Sequence, residues 1–209
     1  MEELLNLYKE RKNDIKKSLK EFSQVRNADE KRIFSELCFC LCTPQSKAIM
    51  CWEAIEKLDE SGKLINGDIK EIQEMLRRVR FNKTKARRIV AARKKFINGD
   101  LKIKEIFEEI RDDYELRKWL IENVDGFGMK EASHFMRNIG RGENVAILDR
   151  HILRNLHKYG ILEKIPDNLP EKQYLEVEKK MKDFSQKIGV SLAELDLLFW
   201  SKETGLIFK

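Results

Sequence analysis

A chain of 209 residues is long enough to bury a sizeable core as one large or two small domains. Its net charge of +6 favours a polyanionic partner, yet 42 basic residues are diluted by 36 acidic ones, so any basic surface must be local. The N-terminus lacks a basic stretch followed by an apolar one, and no apolar run approaches the ~18 residues of a membrane span; a soluble, cytoplasmic chain is expected and a membrane protein excluded.

Apolar residues recur at helical spacing throughout, and no convincing alternating strand interrupts them, so an all-α fold of roughly ten helices with short connections is expected. After an N-terminal helix, Arg32 to Cys42 and Ala48 to Leu58 are apolar around most of their circumference and belong in the centre of the fold. Cys38, Cys40, Cys42 and Cys51 lie in these two stretches. Their spacing suits neither zinc nor disulfide pairing along one helix, and buried thiols are the expectation. The loop Thr43-Pro44-Gln45-Ser46-Lys47 separates the two helices.

Asp68 and Glu71 form a capping-box start to a helix with the apolar stripe Ile69, Ile72, Met75, Leu76 and Val79. Arg80-Phe81-Asn82-Lys83-Thr84-Lys85-Ala86 then combines basic residues, an aromatic and a helix start, which fits a DNA phosphate contact involving Lys85. Phe81 offers a ring to stack on a base, with an ordinary core phenylalanine as the alternative. The helix from Thr84 to Ile97 turns Ala86, Ile89, Val90 and Phe96 inward, leaving Arg87, Arg88, Arg93, Lys94 and Lys95 as a solvated face. Ile103 to Ile110 marks a short helix, and Tyr114 to Val124 leads into the most informative segment of the chain.

That segment is Val124-Asp125-Gly126-Phe127-Gly128-Met129-Lys130, where two glycines flank one apolar residue between two short amphipathic helices. Such a turn presents bare backbone N–H groups to a phosphate and reads as a helix-hairpin-helix over about 119–139, with Gly126 and Gly128 at the DNA backbone. By itself it is a sequence-independent DNA clamp. Lys130 adds chemistry: it sits in the first turn of the second hairpin helix, where the positive end of the dipole disfavours an ammonium and favours the neutral amine that a nucleophile needs. Gly140 ends that helix.

Asp149 follows nineteen residues after Lys130 and caps a helix running to about Tyr159. Held ionised by backbone N–H groups, it stabilises developing positive charge or takes a proton from an attacking amine; a plain capping aspartate is the alternative. His151 is placed either to donate to a phosphate or as a partly buried helix histidine. Pro170 begins the next helix, which ends near Gly189, and Ser191 with Glu194 opens a last one through Trp200. The tail Leu206-Ile207-Phe208-Lys209 is too apolar for a frayed, solvated end and should dock.

Gly126-Phe127-Gly128-Met129-Lys130 followed by Asp149 resembles the helix-hairpin-helix, Gly/Pro-rich loop, aspartate superfamily of DNA base-excision glycosylases. Within it, Gly128 to Phe135, the triplet Asp149-Arg150-His151 and the ending Phe199 to Thr204 with a terminal lysine look like the compact 8-oxoguanine DNA glycosylase/lyases known mainly from archaea. The resemblance implies two helical subdomains with a DNA-binding cleft between them, one over 29–140 and the other formed by 1–28 with 141–209. It implies a catalytic Lys130 that forms a Schiff base with the damaged nucleotide, assisted by Asp149, with His151 on a backbone phosphate. It sends the loop Thr43 to Lys47 into the gap left by the flipped base, where Gln45 is the candidate and a solvated loop glutamine the alternative. It places Trp200 against the base face, with Phe81 opposite, and the carboxylate of Lys209 at the Watson–Crick edge; a core tryptophan and an ordered, idle tail are the alternative. Double-stranded DNA carrying 8-oxoguanine is the implied partner of a monomer, with no metal or redox cofactor. No cysteine follows Cys51, so the iron–sulfur cluster of the superfamily's thymine-glycol endonucleases has no ligands here. The alternatives are a glycosylase of this fold for another oxidised or mispaired base and a non-catalytic hairpin DNA-binding protein.

Overall fold

The computed structural model describes residues 1–97, 99 and 102–209. Among them there are twelve helices and no strand: α1 (Glu2–Val25), α2 (Glu30–Cys42), α3 (Ala48–Glu60), α4 (Lys63–Asn66), α5 (Ile69–Met75), α6 (Asn82–Phe96), α7 (Ile103–Glu109), α8 (Asp113–Asn123), α9 (Met129–Asn138), α10 (Arg150–Lys158), α11 (Glu171–Ile188) and α12 (Leu192–Thr204). The short α4, entered through left-handed Gly62 at φ 69°, has too few residues to show a period and was not expected. The chain forms two compact units, Val25–Phe135 and Met1–Gln24 with Met136–Lys209. None of the described helices is long and apolar enough to cross a membrane.

The unit over Val25–Phe135 is built around α2, which buries every residue from Ile33 to Cys42 and packs on α3, α6 and α7. Asp29 caps its start by accepting from the Arg32 N–H at 2.8 Å. All four cysteines are buried thiols outside any disulfide. Burial pushes the Cys42 and Cys51 thiols up, Cys51 to about 11, so they stay protonated core groups. The capping box of Asp68 and Glu71 forms as the sequence predicts.

Helix α6 ties this unit together with charge. The Arg93 guanidinium is buried and donates to the Leu64 carbonyl at 3.2 Å and the Gly67 carbonyl at 2.9 Å. Lys95 donates to the Asn123 carbonyl and side-chain oxygen at 3.0 and 2.8 Å, fixing the end of α8. Neither residue is the solvated charge that the sequence suggests: each binds carbonyls at a helix C-terminus, of α4 for Arg93 and of α8 for Lys95, where helical partners run out.

The second unit has α12 at its centre, packed on α10 and α11. Ser191 and Glu194 close the capping box of α12, and Glu194 also accepts from the Tyr8 hydroxyl at 3.0 Å, which fastens α1. Gly140 adopts φ +74°, and a Cβ there would stand 2.6 Å from the Ser23 backbone. A glycine is required on both counts. Beyond it, Val145 to Leu148 is buried without being helical, so its backbone groups need side-chain partners. Glu178 accepts from the Ala146 N–H at 2.7 Å, and the Tyr174 hydroxyl donates to the Ala146 carbonyl at 2.7 Å while accepting from the Leu148 N–H at 3.1 Å. Helix α11 thus holds the strap that leads into Asp149.

Candidate active site and nucleic-acid interface

The hairpin forms between α8 and α9. Phe127 is buried and its ring lies 6.1 Å from that of Phe135, anchoring the turn in the core, and its N–H donates to the Val124 carbonyl at 3.0 Å. Gly126 has φ +95°, and a Cβ would meet the Arg88 Nε at 2.6 Å. Arg88, left to solvent in the sequence reading, therefore packs on the hairpin tip, with Nε 3.7 Å from Asp125. Gly128 has no positive φ, and its N–H donates to Glu131 Oε2 at 3.2 Å.

Lys130 takes its expected place in the first turn of α9, about one quarter exposed, with Nζ 2.9 Å from Glu131 Oε1. The sequence reading overlooked Glu131. Its carboxylate spans a hairpin N–H and the lysine, and so sets a local anion against the helix dipole at Lys130. The spacing from Gly128 to Glu131, the reach of a capping box, was the available signal.

Lys85 is a correction. Expected at a DNA phosphate, it is 2% exposed, and its ammonium donates to the Cys42 carbonyl at 2.6 Å, the Pro44 carbonyl at 2.8 Å and the Ser46 hydroxyl at 3.1 Å. All three ammonium donors are thereby used inside the protein. Burial pulls the Lys85 ammonium below the usual lysine value. Phe81 is 57% exposed, which removes the core alternative, and the Arg80 guanidinium lies 5.6 Å from its ring centroid. Gln45 is exposed in its loop.

In the other unit, Asp149 has the extended backbone of an N-cap, and its Oδ1 accepts from the Ile152 N–H at 2.8 Å. His151 Nδ1 lies 3.9 Å from Glu203 Oε2. Asn155 reinforces that corner by donating to the His151 carbonyl and to Glu203 Oε1, both at 2.9 Å. Trp200 is half-buried and the Phe208 ring sits 6.2 Å from it, so the apolar tail folds back on α12. Lys209 at its end is half-buried. A second carboxyl missed by the sequence reading is Asp196. It is buried, 3.6 Å from Arg137 Nε, and desolvation pushes its pKa up to about 7 against the opposing pull of Arg137, with Asp149 adding a further raise. The structure thus gathers Gly126, Gly128 and Lys130 in one unit and Asp149, His151, Trp200 and the tail in the other.

A family model described as 8-oxoguanine DNA glycosylase matches residues 15–190. A protein of Fusobacterium nucleatum named 8-oxoguanine DNA glycosylase/AP lyase is 44% identical over 99% of this chain and 96% of its own length. A Methanocaldococcus jannaschii protein of the same name is 36% identical over 100% of this chain and 97% of its own. Among solved structures, the M. jannaschii 8-oxoguanine glycosylase/lyase in complex with a 15-mer DNA containing 8-oxoguanine superposes at a TM-score of 0.89, with 32% identity and full coverage of both chains. The Thermotoga maritima 8-oxoguanine DNA glycosylase also gives 0.89, at 31% identity, covering 100% of this chain and 97% of that one. By the family match and by near-full-length identity above 30%, the chain belongs to the 8-oxoguanine DNA glycosylase family.

Proposed function

We propose that this chain removes 8-oxoguanine from duplex DNA and cuts the strand at the resulting abasic site. The Lys130 amine attacks C1′ of the damaged nucleotide as the bond from C1′ to the base breaks; the base departs with its electron pair and takes up a proton. Opening of the sugar ring converts the amine adduct to a Schiff base. Loss of a C2′ proton then expels the 3′ phosphate by β-elimination. Asp149, fixed at its helix cap, stabilises the positive charge on the sugar and accepts the proton shed by the amine.

The hairpin at Gly126 and Gly128 and the imidazole of His151 hold backbone phosphates, which position without reading sequence. Gln45 fills the gap in the duplex. Trp200 and Phe81 take the faces of the extruded base, stacking worth roughly 1–3 kcal/mol per base. The Lys209 carboxylate pairs with guanine N1–H and N2–H₂. A single copy of the chain suffices for all of this.

The observation that carries the reading is Lys130 in the first turn of α9, beside the hairpin: a clamp for the DNA backbone needs no lysine there, and a lyase does. The names of the curated relatives support it. The test is single-turnover excision from a duplex bearing one 8-oxoguanine, beside cleavage at a preformed abasic site, with the natural chain and with a short extension after Lys209. The natural chain should release the base and cut both substrates. The extended chain should lose base excision and keep abasic-site cleavage, which needs no base contact; unchanged excision would remove the carboxylate from recognition.

A further inference from the structure

Among the described residues, Gln45 and Phe81 are the two non-glycine residues at positive φ, 56° and 58°. Left-handed backbone is strained for an L residue, and it persists only where the surroundings over-determine it. Both side chains are exposed, so core packing does not account for the strain.

A turn closed by the Ser46 N–H on the Thr43 carbonyl at 3.0 Å holds Gln45 at its third position, and Lys85 braces both strained residues. Its backbone N–H donates to the Phe81 carbonyl at 3.0 Å, while its ammonium grips Cys42, Pro44 and Ser46 on either side of Gln45. The Ser46 hydroxyl in turn accepts from the Arg80 N–H at 3.0 Å, so the loop of Gln45 and the turn of Phe81 are bolted at two points. The acceptors of this ammonium are neutral oxygens. A buried cation without a carboxylate is an expensive way to hold a loop, and its effect is to fix two strained, solvent-facing side chains in one arrangement.

We infer that Lys85 is a positioning residue for entry into duplex DNA: it clamps Gln45 and Phe81 into one rigid pair that meets the helix already ordered. The inference rests on the proposed action on duplex DNA. Extruding a base costs the free energy of unstacking and unpairing it, and ordering two free side chains at the same moment would add to that cost. A pair locked beforehand avoids that addition. The clamp therefore matters most where the duplex must be opened and less where it is already open.

The experiment compares 8-oxoguanine in a fully paired duplex with 8-oxoguanine in an unpaired bubble of the same duplex. Single-turnover excision is followed together with the fluorescence of a 2-aminopurine beside the lesion, which rises on unstacking. Lys85→Met keeps the stem and removes the three donors; Ser46→Ala cuts the link between the loops and leaves the ammonium its two carbonyl acceptors, so it serves if the first variant fails to fold. Each should slow excision from the paired duplex by about tenfold, corresponding to about 1.4 kcal/mol, and blunt the fluorescence rise. Excision from the bubble should fall distinctly less, because no duplex has to be opened there and only the contact of Phe81 with the freed base is loosened, a difference that general loss of structure would not give. Equal losses on both substrates, or an undiminished rate on the paired one, would overturn the inference alone. An unaltered chain inactive on both would overturn the functional reading and this inference with it.

Discussion

Asp149 does two jobs in this account, and two substitutions separate them. As a cap, its Oδ1 accepts from the Ile152 N–H at 2.8 Å across an extended backbone of φ −85° and ψ 179°. Asparagine offers the same acceptor and ranks with aspartate at this position, whereas alanine offers none and costs about 1 kcal/mol. In a chain of this size that is a fall in melting temperature of about 2–4 °C. Asparagine does forgo a favourable charge at the helix N-terminus, about 0.3–1 kcal/mol, but it also removes the anion that raises the pKa of the buried Asp196, so the two electrostatic changes oppose each other. The chemistry divides differently: neither variant has a carboxylate, and both should excise 8-oxoguanine about 10²–10⁴ times more slowly. Thermal melts and single-turnover excision on the same preparations give both readouts. The expected pattern is Asp149→Asn melting like the natural chain and reacting like Asp149→Ala. Excision by the asparagine variant at near the natural rate would reduce Asp149 to a cap and refute the reasoning.

Gly126→Val meets both a positive φ and the Arg88 side chain 2.6 Å from the new Cβ, so the hairpin tip must be rebuilt; affinity for damaged and undamaged duplex should fall together, by about tenfold or more if one charge-assisted phosphate contact is lost. A loss confined to damaged DNA, measured by titration at one salt concentration, would contradict a backbone-reading hairpin. Asp196 has a folded-state pKa near 7, above the ~3.9 of an unfolded aspartate, so the folded chain binds this proton more tightly and stability should fall as pH rises from about 4 to about 7, by up to about 4 kcal/mol. Asp196→Asn does not titrate, and urea denaturation should show its stability relative to the natural chain improving across that window; parallel pH curves would contradict the buried carboxyl.

The helical class and most boundaries are written locally and were legible. Asp68 with Glu71 and Ser191 with Glu194 cap as read, and the left-handed Gly140 lies just past the last helical residue of α9, because these signals depend on residues three or four apart. What the sequence hid depends on tertiary partners. Lys85, Arg93 and Lys95 look like the rest of a basic helix face until the fold brings carbonyls to them. The same holds for Arg88 against Gly126 and for Asp196 against Arg137. The strain at Gln45 and Phe81 was illegible for another reason: neither residue type favours positive φ, so only the surroundings reveal it. At the candidate site, the hairpin, Lys130 and the Asp149 cap were legible as positions. Glu131 stood in the same hairpin phrase, and its reach to Gly128 and Lys130 became visible only with side chains in place.

The central claim is that Lys130 is the nucleophile, and borohydride tests it most directly, because reduction converts a Schiff base to a stable amine. Incubated with borohydride and a duplex carrying one 8-oxoguanine, the natural chain should become covalently joined to the DNA, with the adduct mapping to the peptide that contains Lys130. Lys130→Gln should yield no adduct while still binding the duplex. An adduct of undiminished yield in that variant, or one mapping to another residue, would contradict the account.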